Sequence, residues 1–190
     1  GLPVRKILVD EAIKFSREIY LGITNNRSTG TPTILSSGAG GMEIEEVART
    51  SPGKIIIENI HPLLGLRDYQ VRDLASSIDL PHSYWKQFTQ ISRALWQLFR
   101  DLDATLVEIN PLVIATDNGL LALDAKITID DNALFRHPDL NELRDPDAED
   151  PAETQARKYG LSYIKLEGKI GCLVNGAGLA MAVMDMIQFY

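Results

Sequence analysis

Between His82 and Leu102 the chain carries the pattern that most narrows its fold. Trp85, Phe88, Ile91, Leu95, Leu98, Phe99 and Leu102 recur at steps of three and four. Residues so spaced share one face of an α-helix, so this stretch reads as a long helix with a continuous apolar stripe. Pro81 suits its start. A stripe that wide must be covered by another layer, and the segments around it supply the material for a sheet. Tyr20–Thr24 and Thr33–Ser36 flank Asn25, Asn26, Arg27, Ser28, Thr29 and Gly30, a cluster of turn formers, and read as a hairpin. Val4–Val9 and the β-branched run Lys54–Ile60 read as further strands, and Met42–Arg49 and Arg67–Ala75 as helices. The aromatic stripe is core and carries no chemistry.

Leu106–Ile114 and Leu120–Ile129 read as two strands joined around Asp117-Asn118-Gly119, a hairpin signal. Leu143–Glu153 is acidic, holds Pro146 and Pro151, and reads as a helix boundary or linker. Ile164–Leu166 and Ile170–Val174 are strand candidates, followed by the turn Asn175-Gly176-Ala177-Gly178 and an apolar helix over Leu179–Phe189. The order is antiparallel hairpins first, then a strand–turn–helix unit of parallel type. The class is therefore α/β, with a domain boundary near residue 155.

Composition excludes several functions. The 190 residues are 45% hydrophobic and 24% charged, ordinary values for a globular protein. A formal net charge of −7 argues against nucleic-acid binding and against an anionic membrane surface. No apolar run approaches the ~20 residues that cross a bilayer, and the opening residues do not read as a signal segment. The single cysteine, Cys172, allows no intramolecular disulfide or cysteine-based zinc site. Its apolar neighbours predict a buried, inert thiol. An intracellular location is the economical reading. His61, His82 and His137 have no metal-ligand spacing to one another.

Two segments carry candidate chemistry. In an extended strand, residues two apart share a face. Glu108 and Asn110 therefore point one way, as do Asp124, Lys126, Thr128 and Asp130, with Leu121, Leu123, Ala125, Ile127 and Ile129 on the opposite face. A three-residue loop over Asp117–Gly119 would place Asn110 opposite Lys126, with Asp124 diagonally adjacent. A carboxylate, an amide oxygen and a second carboxylate gathered there suit magnesium, which takes one or two protein oxygens and completes its shell with water and phosphate. Lys126 could contact a phosphate beside it. The same pattern also fits an ordinary solvent-facing hairpin. Pro111 cannot donate to a ladder and marks an edge, a bulge or a strand end. The second segment, Asn175-Gly176-Ala177-Gly178 before a helix, could aim backbone N–H groups at a carboxylate or phosphate. It fails as a dinucleotide fingerprint, because Met181 fills the third glycine position, and a plain turn is the alternative.

Six stretches together resemble the β subunits of succinate–CoA ligases. They are Tyr20-Leu21-Gly22, Gly40-Gly41-Met42-Glu43-Ile44-Glu45, Glu108-Ile109-Asn110-Pro111-Leu112-Val113, Leu123-Asp124-Ala125-Lys126, Asp131–Arg136 and Gly171–Met181, in order across the chain. The resemblance implies the later part of an ATP-grasp nucleotide-binding domain over residues 1–155. It implies the start of a flavodoxin-like ligase domain over 156–190. It also implies a partner α subunit that carries CoA and a transiently phosphorylated histidine, and a reaction that couples succinate, CoA and ATP or GTP to succinyl-CoA, ADP or GDP, and phosphate. By this resemblance Asn110 and Asp124 hold Mg2+, Glu108 meets the phosphohistidine, Asn175 contacts succinate, and Asp10, Ile13 and Glu18 line the nucleotide. Asp10 stands where the family usually has Glu, and Ala125 where a glycine is common. The family chain begins before Gly1 and continues past Tyr190, so the isolated segment is expected not to turn over. Its location would be the cytoplasm in a bacterium or the mitochondrial matrix in a eukaryote. A malate–CoA or related dicarboxylate–CoA ligase, or a module that only binds magnesium and a partner, are the alternatives. Adenine or guanine preference is not legible.

Overall fold

The computed structural model describes residues 7, 9, 11–116, 119–143 and 150–189. The turn formers at Asn25–Gly30 close a hairpin between β1 (Phe15–Asn26) and β2 (Thr31–Ser37). Asn26 Oδ1 accepts from the Ser28 backbone N–H at 3.0 Å and its hydroxyl at 2.7 Å. Gly30 returns the chain at φ +65°, donating to Asn26 O at 2.8 Å. β3 (Ile55–Asn59) adds antiparallel to β2, and β4 (Ala104–Ala115) flanks β1 on its other side. β5 (Gly119–Ala122) and β6 (Ala125–Ile129) pair with the two ends of β4. The sheet order is β3-β2-β1-β4-β5, with β6 also on β4. The predicted strand over Val4–Val9 lies mostly outside the described residues, and Ile7 and Val9 are exposed and form no strand.

The register of β4 departs from expectation by two residues. Ala115 pairs with Gly119, and Glu108, not Asn110, faces Lys126. Gly119, at φ +76°, enters the ladder as a paired residue instead of closing the loop. Asp117 and Asn118 lie outside the described residues. A slip of two does not by itself move a side chain to the other face, so Asn110 and Asp124 remain neighbours on the shared polar surface. Asn110 N–H now donates to Asp124 O at 3.1 Å. Pro111 sits mid-strand, where β1 and β4 shift register between Ile19 and Leu21, so the bulge is the correct reading. The Asn110–Pro111 peptide is cis. Across this point the core-facing residues of β4 change phase, from Val107 and Ile109 to Leu112 and Ile114. Its partner changes phase with it. Leu120, opposite Ile114, is buried and Leu123 is 42% exposed, against the simple alternation read from sequence, while Ile127, opposite Val107 on the edge strand β6, is 44% exposed.

Two of the helices cover the sheet face that carries Ile19, Leu21 and Ile23. α1 (Ile44–Thr50) follows β2, α2 (Asp68–Ser77) follows β3, and α3 (Trp85–Asp101) extends a 3-10 turn over His82–Tyr84. Phe88, Leu95 and Phe99 of the stripe are buried against Val71, Leu74 and Ala75 of α2 and the strands. Trp85 and Ile91 are partly buried, and Leu98 is 40% exposed at the stripe's margin. α4 (Pro138–Glu142) follows a 3-10 stretch, Asp131–Arg136.

The chain divides into two compact units, Lys6–Leu143 and one containing Arg144–Tyr190. In the second, Asp150 caps α5 (Pro151–Lys158) by accepting from Ala152 N–H at 2.8 Å, and α6 is Ala177–Phe189. The strands predicted at Ile164–Leu166 and Ile170–Val174 do not form. A strand needs a neighbour for its N–H and C=O groups, and among the described residues none pairs with this segment. Cys172 is therefore exposed rather than buried, and Leu173 beside it is 95% exposed. No described helix is long and apolar enough to cross a membrane.

Candidate functional site

After β2 the chain crosses the sheet as a glycine-rich strap, residues 38–43. It approaches so closely that side chains are excluded. A Cβ on Gly40 would lie 2.5 Å from Ile19 N and 2.7 Å from Glu18 C. Gly41 has φ +72°, and a Cβ there would lie 2.8 Å from Glu18 Oε2. Asn110 holds the strap from β4. Its Oδ1 accepts from Gly41 N–H at 2.8 Å and its Nδ2 donates to Met42 O at 2.9 Å. Glu18, named for the nucleotide, and Asn110, named for the metal, thus meet one loop.

Tyr20, Glu108 and Asn110 alternate with the core residues and so face away from α2 and α3. Glu108 is half-buried and accepts from the Tyr20 hydroxyl at 2.8 Å. Burial pushes the Tyr20 phenol far above its ordinary range, and the hydrogen bond to Glu108 and the charges of Glu108 and Glu45 push it the same way. The proton therefore stays on the phenol, which donates. Lys126 lies opposite Glu108 on β6 and is exposed. Asp124 is exposed beside Asn110, with Oδ1 accepting from Ala125 N–H at 2.9 Å. Cβ atoms of directly opposed residues lie about 4.5–5.5 Å apart, so one ion can bridge such a pair.

The donor set fits magnesium. Among the described residues, no group of three His, Cys, Asp or Glu side chains could hold a metal. A site here would rest on one carboxylate and one amide oxygen, both hard, and would leave the rest of the shell to water and phosphate. Asn110 Oδ1 keeps a second lone pair beyond the one given to Gly41.

Of the remaining predicted residues, Ile13 is partly buried just before β1. Asp10 lies outside the described residues. Asn175 belongs to the second unit, exposed just before α6, where Gly176 O accepts from Ala180 N–H at 3.0 Å. Sequence reasoning gave no role to Tyr20 or to the strap. The Tyr20-x-Gly22 spacing, a large ring two residues from an empty position on one strand face, was the available signal. A separate cavity of about 310 Å³ is lined by Trp96, Phe99, Arg100, Asp103 and Arg136 among others, and holds none of the candidate residues.

Residues 1–114 match the ATP-grasp domain family. The chain belongs to the ATP-grasp family. This ATP-grasp chain is 54% identical over 188 residues to succinate–CoA ligase (ADP-forming) subunit beta of Aquifex aeolicus, covering 99% of this chain and 48% of that one. To the protein of the same name from Roseiflexus it is 53% identical over 191 residues, covering 100% and 50%. The chain spans about half the length of the curated relatives it matches. Among solved structures, ATP citrate lyase of Methanosaeta concilii, bound to (3S)-citryl-CoA, superposes with a TM-score of 0.61 at 20% identity, over 92% of this chain and 42% of that one. That likeness establishes a shared α/β fold.

Proposed function

We propose that this chain forms the magnesium–nucleotide and histidine-facing part of a succinate–CoA ligase β subunit. Its residues to about 155 would belong to the ATP-grasp domain, and those beyond would open a flavodoxin-like ligase domain. The observation that carries the reading is the convergence of Asn110 on the glycine strap with Asp124 beside it and Glu108 two residues away on the same face. The (ADP-forming) names of the relatives support an adenine nucleotide, and their bacterial sources a cytoplasmic location.

In this reading Asn110 and Asp124 hold Mg2+, which would neutralise the phosphate oxygens as the phosphoryl group moves. Asp10, Ile13 and Glu18 line the base and ribose, and Lys126 reaches toward phosphate. Glu108 accepts a hydrogen bond from one ring nitrogen of the α-subunit histidine, leaving the other nitrogen free as acceptor. The γ-phosphoryl group leaves ADP and bonds to that nitrogen. It then passes to a succinate carboxylate oxygen, regenerating the histidine. The CoA thiolate attacks the acyl phosphate carbon and displaces phosphate. Asn175 hydrogen-bonds the succinate side, where the backbone N–H groups at the start of α6 favour an anion.

The test uses the full-length subunit containing these residues, assembled with its partner. Thioester should form from succinate, CoA and Mg-ATP, and malate should serve less well. Asn175→Asp keeps side-chain size but places a charge beside an anionic substrate. It should weaken succinate use sharply while histidine phosphorylation by ATP persists. No thioester from succinate would overturn the reading, and equal wild-type rates in both half-reactions would remove Asn175 from it.

A further inference from the structure

We propose that Tyr20 is a positioning residue for Glu108, holding its carboxylate in one orientation for the group that docks against it. The proposal rests on the reading of Glu108 given above. Tyr20 is 2% exposed, yet its hydroxyl reaches Glu108 Oε2 at 2.8 Å across two strands. The reach is built into the sheet. Gly22 lies directly opposite Glu108, and Tyr20 lies two residues before it on the same face of β1. The ring lies across the empty position, since a Cβ on Gly22 would fall 2.6 Å from Tyr20 Oη and 3.0 Å from its Cζ.

A glutamate side chain loses rotamer entropy when it is fixed. The phenol removes that freedom before docking. It engages Oε2, and Oε1 remains available to accept from an incoming N–H. Tyr20 touches neither nucleotide nor histidine in this scheme, so it acts only through Glu108.

The experiment measures transfer of labelled γ-phosphate from Mg-ATP to the partner histidine, in the full-length subunit assembled with its partner. Glu108→Gln, Tyr20→Phe and the double variant are compared, with the thermal midpoint of each. Losing one such hydrogen bond should lower kcat on the order of tenfold. KM for Mg-ATP should stay unchanged, and the double variant should be no slower than Glu108→Gln alone. Gly22→Ala, which keeps the phenol but displaces it, should reproduce the kcat loss even if Tyr20→Phe folds poorly. Two results would overturn the proposal while leaving Glu108 in place: Tyr20→Phe and Gly22→Ala at wild-type rates, or losses that multiply in the double variant. If Glu108→Gln itself transfers at the wild-type rate, the role of Glu108 falls, and that of Tyr20 with it.

Discussion

Gly40→Ala tests whether the strap is fixed by backbone contact. The added methyl would lie 2.5 Å from Ile19 N and 2.7 Å from both Glu18 C and Ile19 C. These are backbone atoms of β1, which is held on both sides by β2 and β4, so the strap must lift. Lifting breaks the Gly41–Asn110 and Asn110–Met42 hydrogen bonds, at 2.8 and 2.9 Å. The Gly40–Glu18 bond, at 3.4 Å, is long and adds little. Two well-formed bonds at a net of about 1 kcal/mol each give about 2 kcal/mol. Alanine stiffens the unfolded chain and returns about 0.4–1 kcal/mol. The net loss is therefore about 1–2 kcal/mol, or roughly 2–8 °C in Tm for a chain of this size. Gly53→Ala is the control, because a Cβ there meets nothing within 4 Å. It should be neutral or slightly stabilising. Equilibrium urea unfolding of both variants decides the matter, and equal stability of Gly40→Ala and Gly53→Ala would refute the reasoning.

Three further outcomes are expected. Phe88→Ala, at a fully buried position, should cost about 3–5 kcal/mol in urea unfolding, whereas Leu123→Ala, 42% exposed, should cost well under half of that. In the full-length subunit, Asp124→Ala should weaken magnesium dependence of nucleotide binding at least about tenfold, the scale of one charge-assisted contact, while Leu123→Ala leaves it unchanged; calorimetric titration of Mg-ATP compares them. Tyr20 should keep its proton at alkaline pH where exposed tyrosines have lost theirs. Because its folded-state pKa is raised, its contribution to stability is complete below about pH 10 and is lost as pH rises further, a trend that Tyr20→Phe should remove in ultraviolet titration and pH-dependent unfolding.

What the sequence revealed of this fold was local. The helix over His82–Leu102 and the hairpin at Asn25–Gly30 depend on residues within a few positions of one another, and both stand in the structure. What failed depended on neighbours. The register of β4 is set by where the chain re-enters the ladder at Gly119, and the phase change at Asn110–Pro111 matches a shift in β1, some ninety residues away in sequence. Ile164–Leu166 and Ile170–Val174 have strand composition, but among the described residues no strand pairs with them, so most of their apolar side chains and Cys172 stand exposed. Composition specifies a willingness to pair, and pairing requires a partner.

The site was legible to the extent that it follows strand periodicity. Glu108, Asn110 and Asp124 share a face in any register that differs by two, so the error in pairing did not disturb their grouping. Why position 110 is an amide was not legible, because the reason lies in the strap. Asn110 accepts from Gly41 N–H and donates to Met42 O at once, and an amide does so from two separate atoms, Oδ1 and Nδ2. A carboxylate there could accept but not donate. It would face the Met42 carbonyl with like polarity and set a second negative charge two residues from Glu108. The strap thus favours a neutral group at 110, and in the proposed site the charge that a magnesium ion needs would fall to Asp124, which is exposed, with its Oδ1 accepting from Ala125 N–H. In the proposed site amide and carboxylate would divide the work, one tying the strap that Glu18 also meets and the other supplying the charge.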